Sequence, residues 1–206
     1  MAWIETPKRL KNSERSALTK KAILEATIDT LAELGYSNTS TSEIVKRANV
    51  SRGAQVHHFP TKSELVIASL RYLFESRTEE FVRKFEEFGD GRVSFNKAIE
   101  ILWTLFSGNG LRAAHALVAQ ALFDECLRTV VIEVLSDFDK NVEAVFSKLY
   151  PEFSSLPFSK IILSMTFAVL EAGAIYREIG MEEKSNEIVS ALKLSASFWE
   201  HLIGNQ

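Results

Sequence analysis

The chain has little of what stabilises small secreted proteins or forms metal clusters. Its 206 residues include a single cysteine, Cys126, so no internal disulfide can form and no cysteine cluster can hold a metal ion. A reducing, cytoplasmic setting fits this composition, and we expect Cys126 to pack as a small apolar side chain. Only four prolines and nine glycines stand against fourteen phenylalanines, which argues against a disordered polypeptide and indicates a packed, helix-rich interior.

Long apolar runs are also absent. The longest uncharged stretches, residues 101–111 and 113–123, are far shorter than the roughly 18 apolar residues that a membrane span needs. Residues 1–15 turn polar and charged before any apolar stretch of useful length, so we expect no signal peptide. The expected protein is therefore soluble and has no membrane partner.

Charge is unevenly distributed along the chain, whose formal net charge is -3. Residues 1–62 contain ten lysines and arginines against six acidic residues, whereas the remaining 144 residues contain 14 basic and 21 acidic groups. A basic N-terminal segment can attract phosphates, while an acidic remainder limits non-specific binding to DNA. Small basic excesses are common in N-terminal segments, so this pattern supports nucleic-acid binding without establishing it.

Two short helical patterns with a tight turn between them lie within residues 39–65. Ser40 or Thr41 can N-cap the first helix, and Glu43 stands three residues after Ser40, as a capping box requires. After a two-residue turn, Ser51 can cap a second helix, and Pro60 ends it because the residue before a proline avoids helical geometry. This arrangement is typical of a helix-turn-helix DNA-binding unit.

The pattern extends on both sides of these helices. ILEATIDTLAELGY at residues 23–36 precedes them, and HHF-x-TK-x-EL closes the segment. Over roughly the first 70 residues the chain therefore resembles the N-terminal domain of TetR-type transcriptional repressors. The resemblance implies a DNA-binding domain followed by a helical body that binds a ligand and forms a homodimer.

The N-terminal residues of the second helix in such a unit meet base edges in the major groove. Arg52 is the best candidate for direct readout, because a guanidinium can donate two hydrogen bonds to guanine O6 and N7. On its own, such an arginine is more often a solvated surface residue. Gly53 and Ala54 would allow close approach, and Ala54 could touch a thymine methyl group.

The resemblance to the TetR family adds further DNA contacts. It implies that Thr41 contacts a phosphate and that Ser42 faces a base edge, since the preceding helix also begins at the DNA. Lys62 stands where the family commonly has a phosphate-binding lysine, and an ammonium group there needs only proximity.

Two positions depart from the family pattern, which commonly has an apolar residue followed by a phosphate-binding tyrosine. The chain has Gln55 and Val56 there, and Val56 cannot bind a phosphate. Gln55 would either lie towards the core or turn outward to read adenine. His57 then becomes the expected phosphate or base contact, whereas His58 is expected to pack beside Phe59.

Apolar periodicity predicts an all-α chain of about nine helices, with no segment that indicates a strand. We divide it into a three-helix DNA-binding domain, residues 1–62, and a helical ligand-binding and dimerisation domain, residues 63–206. The first predicted helix runs from Ser13 to a stop at Gly35. Further helices are predicted over residues 41–48, 52–58, 62–88, 94–107, 158–179 and 182–203, and a long helical stretch over residues 111–149 has a kink near Cys126. Breaks are predicted at the glycines in 89–91 and 108–110, and a loop between Tyr150 and Pro157.

The body shows no catalytic constellation. His115 and Cys126 are eleven residues apart and have no third group to orient them. The adjacent His57 and His58 lack the cysteine or aspartate partners of a metal site. We therefore expect no enzyme, no catalytic residue, no metal and no cofactor.

The TetR resemblance implies a ligand cavity among the middle helices of the body. Most bulky apolar residues there must be ordinary core, but a few polar groups in an apolar wall would orient a ligand. His115, Gln120 and Glu171 are the candidates for those polar groups. The predicted ligand-binding residues are Trp103, Phe106, His115, Leu117, Gln120, Phe123, Met165 and Glu171.

The last two predicted helices have wide apolar faces with small residues that permit close helix packing. One part of each face can pack on the body, and the remainder would pair with a twofold mate, as in the TetR family. The predicted dimer-interface residues are Met165, Val169, Ala172, Tyr176, Ile188, Leu192, Ser195 and Trp199.

These features predict a homodimeric, TetR-like repressor with two partners, a palindromic double-stranded DNA operator and a small lipophilic or aromatic effector. The effector would change the spacing of the two DNA-binding units and so release the operator. Two alternatives stay open. One is an orphan or architectural DNA-binding protein whose body serves only for dimerisation, and the other is a helical enzyme with a cavity.

Overall fold

A computed structural model describes residues 12–87 and 93–204 of the chain. The N-terminal residues 1–11 and the predicted glycine break at residues 89–91 lie outside the described residues. The described residues form ten helices: α1 (Asn12–Asn38), α2 (Thr41–Ala48), α3 (Arg52–His58), α4 (Lys62–Glu86), α5 (Phe95–Leu105), α6 (Gly108–Ala121), α7 (Glu125–Leu149), α8 (Pro151–Ser154), α9 (Ser159–Glu178) and α10 (Glu182–Gly204). The predicted all-α fold is confirmed. We call α1–α3 the head and α5–α10 the body.

Local sequence signals explain the ends of the head helices. The hydroxyl of Ser40 accepts a hydrogen bond from the Glu43 amide at 3.2 Å, and the hydroxyl of Ser51 accepts one from the Ala54 amide at 3.1 Å. Of the two N-cap candidates for α2 the structure has Ser40, and the predicted N-cap of α3 at Ser51 is confirmed. Gly35 adopts a φ of 69°, which only glycine tolerates easily, so it interrupts α1 as predicted before one further turn to Asn38.

The kink predicted near Cys126 is a complete break in the structure, because α6 ends at Ala121 and α7 begins at Glu125. The Asp124 carboxylate caps α7 by accepting a hydrogen bond from the Leu127 amide at 3.0 Å. The Arg128 guanidinium donates to the carbonyls of Ala121 and Leu122, each at 2.9 Å, and so satisfies the end of α6. These side chains replace the backbone bonds that a continuous helix would have made.

Other helix boundaries also differ from the predicted ones. Gly108 begins α6, although the glycines at 108–110 were expected to separate two helices, and α8 occupies part of the predicted loop after Tyr150. Pro151 begins α8, where its missing N–H costs nothing. Cys126 is exposed rather than buried, because it stands in the first turn of α7 beside the inward-facing Leu127.

Three apolar clusters hold the chain together. The head cluster joins α1, α2 and the start of α4 through Ile23, Ile44 and Leu65. A second cluster packs α1 and α4 against α6 and α7, and it includes Leu31, Leu70, Leu117 and Val131. The third and largest cluster joins the far half of α4 to the remaining body helices, with Phe81, Leu102, Phe146 and Leu170 among its buried residues.

Helices α1 and α4 therefore each belong to more than one cluster. The predicted domain boundary at residues 62 and 63 falls at the first turn of α4, whose Leu65 packs in the head and whose Leu70 packs against the body. The head is thus attached to the body through two continuous helices rather than through a flexible linker.

Removing the Asp124 cap at the break between α6 and α7 should destabilise the fold. We expect Asp124→Ala to lower the free energy of unfolding by about 1 kcal/mol, because the first turn of α7 loses its acceptor. The control is Ser107→Ala, since Ser107 occupies the N-cap position of α6 without a side-chain cap hydrogen bond. Equal losses in urea unfolding would contradict a specific role for Asp124.

Candidate nucleic-acid interface and body cavity

Helix α3 presents one side to solvent and the other to the head core. Arg52, Gly53, Val56 and His57 are exposed, and Ala54 is half-buried at the edge of this face. Since residues advance about 100° around a helix, the exposed positions form one continuous surface. Ser51 fixes the start of this helix, so the surface begins at its N-terminus.

Gln55 lies on the inward side of α3 and is 2% exposed. Its Nε2 donates a hydrogen bond to the carbonyl oxygen of Phe59, which satisfies a buried amide in an apolar surrounding. Of the two alternatives left by the sequence, the inward one is observed. The prediction of Gln55 as a DNA contact is therefore wrong, because Gln55 points away from the exposed face.

The two histidines of α3 differ in their surroundings, as the sequence predicted. His57 is exposed, whereas His58 is half-buried with its ring 6.2 Å from that of Phe59. Burial lowers the pKa of His58, and the neighbouring His57 acts in the same direction. His58 is thus a packing residue at the base of the head, and His57 stays available for a contact.

Lys62 has an intramolecular role that the sequence did not reveal. Its Nζ donates a hydrogen bond to the Tyr36 carbonyl at 3.0 Å and lies 4.4 Å from the centre of the Tyr36 ring. Partial burial lowers the pKa of Lys62. The ammonium has three donors, so a phosphate contact stays compatible with this bond.

Arg47 is a second cation of the head that serves the fold. Its guanidinium lies 2.7 Å from a Glu33 carboxylate oxygen and 2.9 Å from one of Glu43, and the hydrogen bond to Glu43 raises the pKa of Arg47. These contacts hold α2 against α1. The first turn of α2 is thereby oriented with Ser42 exposed and Thr41 half-buried.

The body contains a cavity of about 480 Å³ between α5, α9 and α10. Its floor includes Phe146 of α7 and Phe153 of α8. The other lining residues are Phe95, Ala98, Ile99 and Leu102 of α5, Ile162, Leu163, Met165, Thr166 and Val169 of α9, and Ile188, Ala191, Leu192, Ser195, Ala196 and Trp199 of α10. None of these side chains is titratable.

The predicted ligand-binding residues mostly lie elsewhere, and only Met165 lines the cavity. Leu117 is buried where α6 meets α1 and α4, and Phe123 is 85% exposed at the turn between α6 and α7. Trp103 and Phe106 pack at the margin of the largest cluster without reaching the cavity, and Gln120 of α6 is half-buried. The prediction failed because it placed α6 beside the cavity, whereas α6 packs on α1.

Two of the predicted polar groups do meet. The ring Nε2 of His115 lies 3.0 Å from a Glu171 carboxylate oxygen, and this hydrogen bond lowers the pKa of Glu171. The pair connects α6 to α9 outside the cavity. It is therefore a contact between helices rather than part of the wall.

The junction between α5 and α6 is held by two arginines from other helices. Arg77 of α4 donates a hydrogen bond to the Leu105 carbonyl at 2.7 Å, and burial lowers the pKa of Arg77. Arg177 of α9 donates to the Phe106 carbonyl, with its guanidinium carbon 4.3 Å from the centre of the Trp103 ring. The end of the cavity helix α5 is thus tied to both α4 and α9.

Helices α9 and α10 share an exposed apolar surface, which we call the α9–α10 face. It consists of Ile161, Met165 and Ile175 of α9, Ile179 directly after α9, and Leu194 and Phe198 of α10. Helix α9 is long and apolar enough to pass as a membrane span by length and composition alone, and only 28% of its most apolar window is buried. Its inner side nevertheless packs against α10 and α7.

The predicted dimer residues lie partly on this face. Met165 and Ser195 are exposed, whereas Val169, Ala172, Tyr176, Ile188, Leu192 and Trp199 are half-buried. Four of the half-buried residues also line the cavity: Val169, Ile188, Leu192 and Trp199. The most exposed residue of the face, Leu194, was not among the predicted residues.

Comparisons with known proteins agree with this geometry. The family model described as "Bacterial regulatory proteins, tetR family" matches residues 23–69, which span most of α1 through the first part of α4. An uncharacterised HTH-type transcriptional regulator of Mycobacterium tuberculosis is 28% identical over 186 residues, covering 87% of this chain and 94% of the relative. The HTH-type transcriptional regulator CymR of Pseudomonas putida is 42% identical over 74 residues, 36% of either protein.

Solved structures share the whole architecture. A Mesorhizobium loti protein described as a TetR-family transcriptional regulator has a TM-score of 0.73 at 16% identity, covering 91% of this chain and 98% of that one. GusR of Salmonella enterica has a TM-score of 0.67 at 17% identity, covering 87% and 93%. At such identities the structural likeness establishes the fold alone and gives no information about a ligand.

The bond between Lys62 and Tyr36 makes a prediction for stability. We expect Lys62→Met to lower the free energy of unfolding by about 1 kcal/mol, because the carbonyl at the end of α1 loses a charged donor. Lys46→Met is the matched control, since Lys46 is an exposed lysine of the same unit. If both variants unfold at the same urea concentration as the parent protein, Lys62 has no role in the fold.

Proposed function

Because the chain belongs to the TetR family of bacterial transcriptional regulators, we propose that it is a homodimeric repressor of a palindromic operator. In the same proposal, a small uncharged lipophilic molecule binds the body cavity and releases the DNA. The homologues are regulators rather than enzymes, and the chain is a regulator. The operator, the effector and the dimer are the proposed parts.

The exposed face of α3 supports operator binding most directly. Gly53 lies in its centre, and a Cβ built there would meet only the Ser51 hydroxyl, at 3.9 Å. The fold therefore does not need a glycine at this position, although glycine weakens a helix relative to alanine. A glycine there would let a DNA surface approach α3 closely, because it has no side chain.

Arg52 adds the chemistry for base readout. It begins α3 and is exposed, whereas Arg47 is held by two carboxylates. Ser42, His57 and the half-buried Thr41 and Ala54 surround the same approach, and Lys62 can reach a phosphate with its remaining donors. One head covers one half-site, so a palindromic operator requires two heads about 34–36 Å apart.

The α9–α10 face supports the dimer. The spacings between Ile161, Met165, Ile175 and the C-cap residue Ile179 are four, ten and four residues, which place all four on one side of the helix. Ala168 and Ala172 lie on the same side between Met165 and Ile175. An apolar surface of this extent on a soluble regulator needs a cover. A twofold mate provides an identical face, and small residues between the bulky ones allow the helices to approach closely.

The cavity supports an uncharged effector. A volume of about 480 Å³ lies within the usual range of small-molecule sites. The polar groups of its lining side chains are the hydroxyls of Thr166 and Ser195 and the indole N–H of Trp199, and the Thr166 hydroxyl already donates to the Ile162 carbonyl at 2.9 Å. A charged ligand would lose its hydration there without gaining a partner of opposite charge.

Release would follow from the connections of α5. Its inner side forms one wall of the cavity, and its C-terminal end is tied to α4 by Arg77 and to α9 by Arg177. A ligand that fits only a wider separation of α5 and α9 shifts α4, and α4 belongs to the head cluster. The two heads then lose the spacing that the operator requires.

The orphan hypothesis stays as the second candidate for a specific reason. Met165, Ala191 and Ser195 line the cavity and are also exposed, so the cavity opens beside the α9–α10 face. A partner side chain could then fill the cavity in the dimer. In that case the body would serve only for dimerisation.

Two substitutions in α3 test operator binding, after the preferred sequence has been obtained by selection from random duplex DNA. We expect Arg52→Ala to weaken binding by roughly 1–3 kcal/mol and to relax preference at one base position. Gly53→Ala should stabilise the head by about 0.5–1 kcal/mol yet weaken binding, because the new methyl group blocks close approach. Unchanged affinity in both variants, measured by footprint titration, would remove α3 from the interface.

A charge on the α9–α10 face should separate the dimer. We expect Leu194→Glu to shift the protein towards monomer in sedimentation and to weaken operator binding, because Leu194 is 74% exposed on α10. Leu194 is a cleaner site than Ala172 or Leu192, which are half-buried against their own chain. Leu18→Glu, at an exposed leucine of α1, is the control. A monomeric parent protein at micromolar concentration would contradict the palindromic model.

The uncharged fluorophore N-phenyl-1-naphthylamine tests the cavity. We expect it to raise the melting temperature and lower operator affinity together, since both follow from one conformational equilibrium. Ser195→Trp should fill the mouth and abolish both effects, whereas Ser190→Trp, outside the wall, should preserve them. Should neither this probe nor a broad set of neutral lipophilic compounds shift melting or release DNA, the orphan hypothesis replaces the effector.

A further inference from the structure

Val56 occupies the centre of the exposed face of α3 and is 46% exposed. It stands four residues after Arg52 and three after Gly53, which places it one helical turn along the same surface. On the opposite side Gln55 and Phe59 are buried, so the helix cannot rotate to bury Val56 without exposing them. The outward position of Val56 is therefore imposed by the packing of its neighbours.

The fold gains little from a valine at this position. Val56 belongs to none of the three apolar clusters, whereas the nearby Ala48 and Val50 pack against the head cluster. A β-branched residue is also a weaker helix former than most residues suited to an exposed position. Val56 is thus an apolar group in the middle of a polar, basic face, where it is available to contact a partner surface.

The major groove of DNA offers a single apolar group on its base edges. Guanine, cytosine and adenine present only hydrogen-bond donors and acceptors there, while thymine adds its C5-methyl group. Val56 has neither a donor nor an acceptor and therefore cannot satisfy a polar base edge. Against that edge it would strip water without replacing its hydrogen bonds, which is unfavourable.

We propose that the two methyl groups of Val56 pack against the C5-methyl group of a thymine, and so select a T·A pair at one position of each half-site. The inference rests on the proposed operator binding and assigns to Val56 a specificity that the departure from tyrosine makes possible. Gly53, one turn earlier, has no side chain to hold the groove away from it.

The geometry also sets where this thymine lies. Arg52 and Val56 are four residues apart, about 6 Å along a helix axis at 1.5 Å per residue. Base pairs are spaced by about 3.4 Å, so the selected thymine lies within about two base pairs of the guanine that Arg52 reads. A half-site should therefore contain both bases close together.

Uracil substitution tests the contact without changing any hydrogen bond of the operator. Once selection has defined the operator, each thymine is replaced in turn by deoxyuridine, which lacks only the methyl group. Losing one buried methyl contact should weaken binding of the parent protein about fourfold per half-site, and about fifteenfold when both half-sites are changed. The loss of affinity on uracil substitution should depend on residue 56 only at the thymine that Val56 contacts.

The protein variants complete the cycle. Val56→Ala should bind the thymine operator about as weakly as the parent binds the uracil operator, and should no longer distinguish the two. Val56→Thr retains one methyl group and should show an intermediate difference. Ile132→Ala is the matched control, because Ile132 is an apolar residue of α7 with 59% exposure outside the head.

The outcomes separate the two proposals. A uracil effect that disappears in Val56→Ala and persists in Ile132→Ala supports the contact. Equal uracil effects in the parent protein and in Val56→Ala, or none in either, overturn it while leaving operator binding intact. If selection enriches no sequence at all, the proposed operator binding fails and this inference fails with it. Melting temperatures of the variants show whether each is folded.

Discussion

The packing of α1 and α4 in two cores at once is the constraint on which the other parts depend. Ile23 and Leu65 hold these helices together in the head, while Leu31 and Leu70 hold them against α6 and α7. No hinge separates the two sets, because each helix runs through both. A displacement of α4 in the body must therefore displace the head, which is what coupling between two distant sites requires.

The head shows how a short helix divides its residues between fold and function. On the buried side of α3, the Gln55 amide donates a hydrogen bond to the Phe59 carbonyl, and the side chain of Phe59, directly after the helix, is also buried. The exposed side contains residues for which the fold has little need, a glycine in an open position and a valine outside the apolar clusters. Such residues weaken a helix slightly, and the proposed approach of DNA to α3 would give them a role.

The body combines an apolar space with polar connections around it. The cavity wall is uncharged and mostly apolar, while the junction after α5 is held by the guanidiniums of Arg77 and Arg177. Gly110 belongs to this junction, because a Cβ there would lie 2.9 Å from Arg77. The charged groups thus position α5, and the apolar residues leave space beside it.

Local signals in the sequence determined the helices of the head and their ends. Ser40, Ser51, Gly35 and Pro60 act within a few residues of their own positions, so caps and stops could be predicted without knowledge of the remaining chain. Asp124 acts in the same local way, since it caps the helix that begins at the kink predicted near Cys126. Only the tertiary structure decided what depends on distant partners. It turned Gln55 inward, joined Lys62 to Tyr36, and placed α6 on α1 instead of beside the cavity, because these contacts join residues that no local spacing relates.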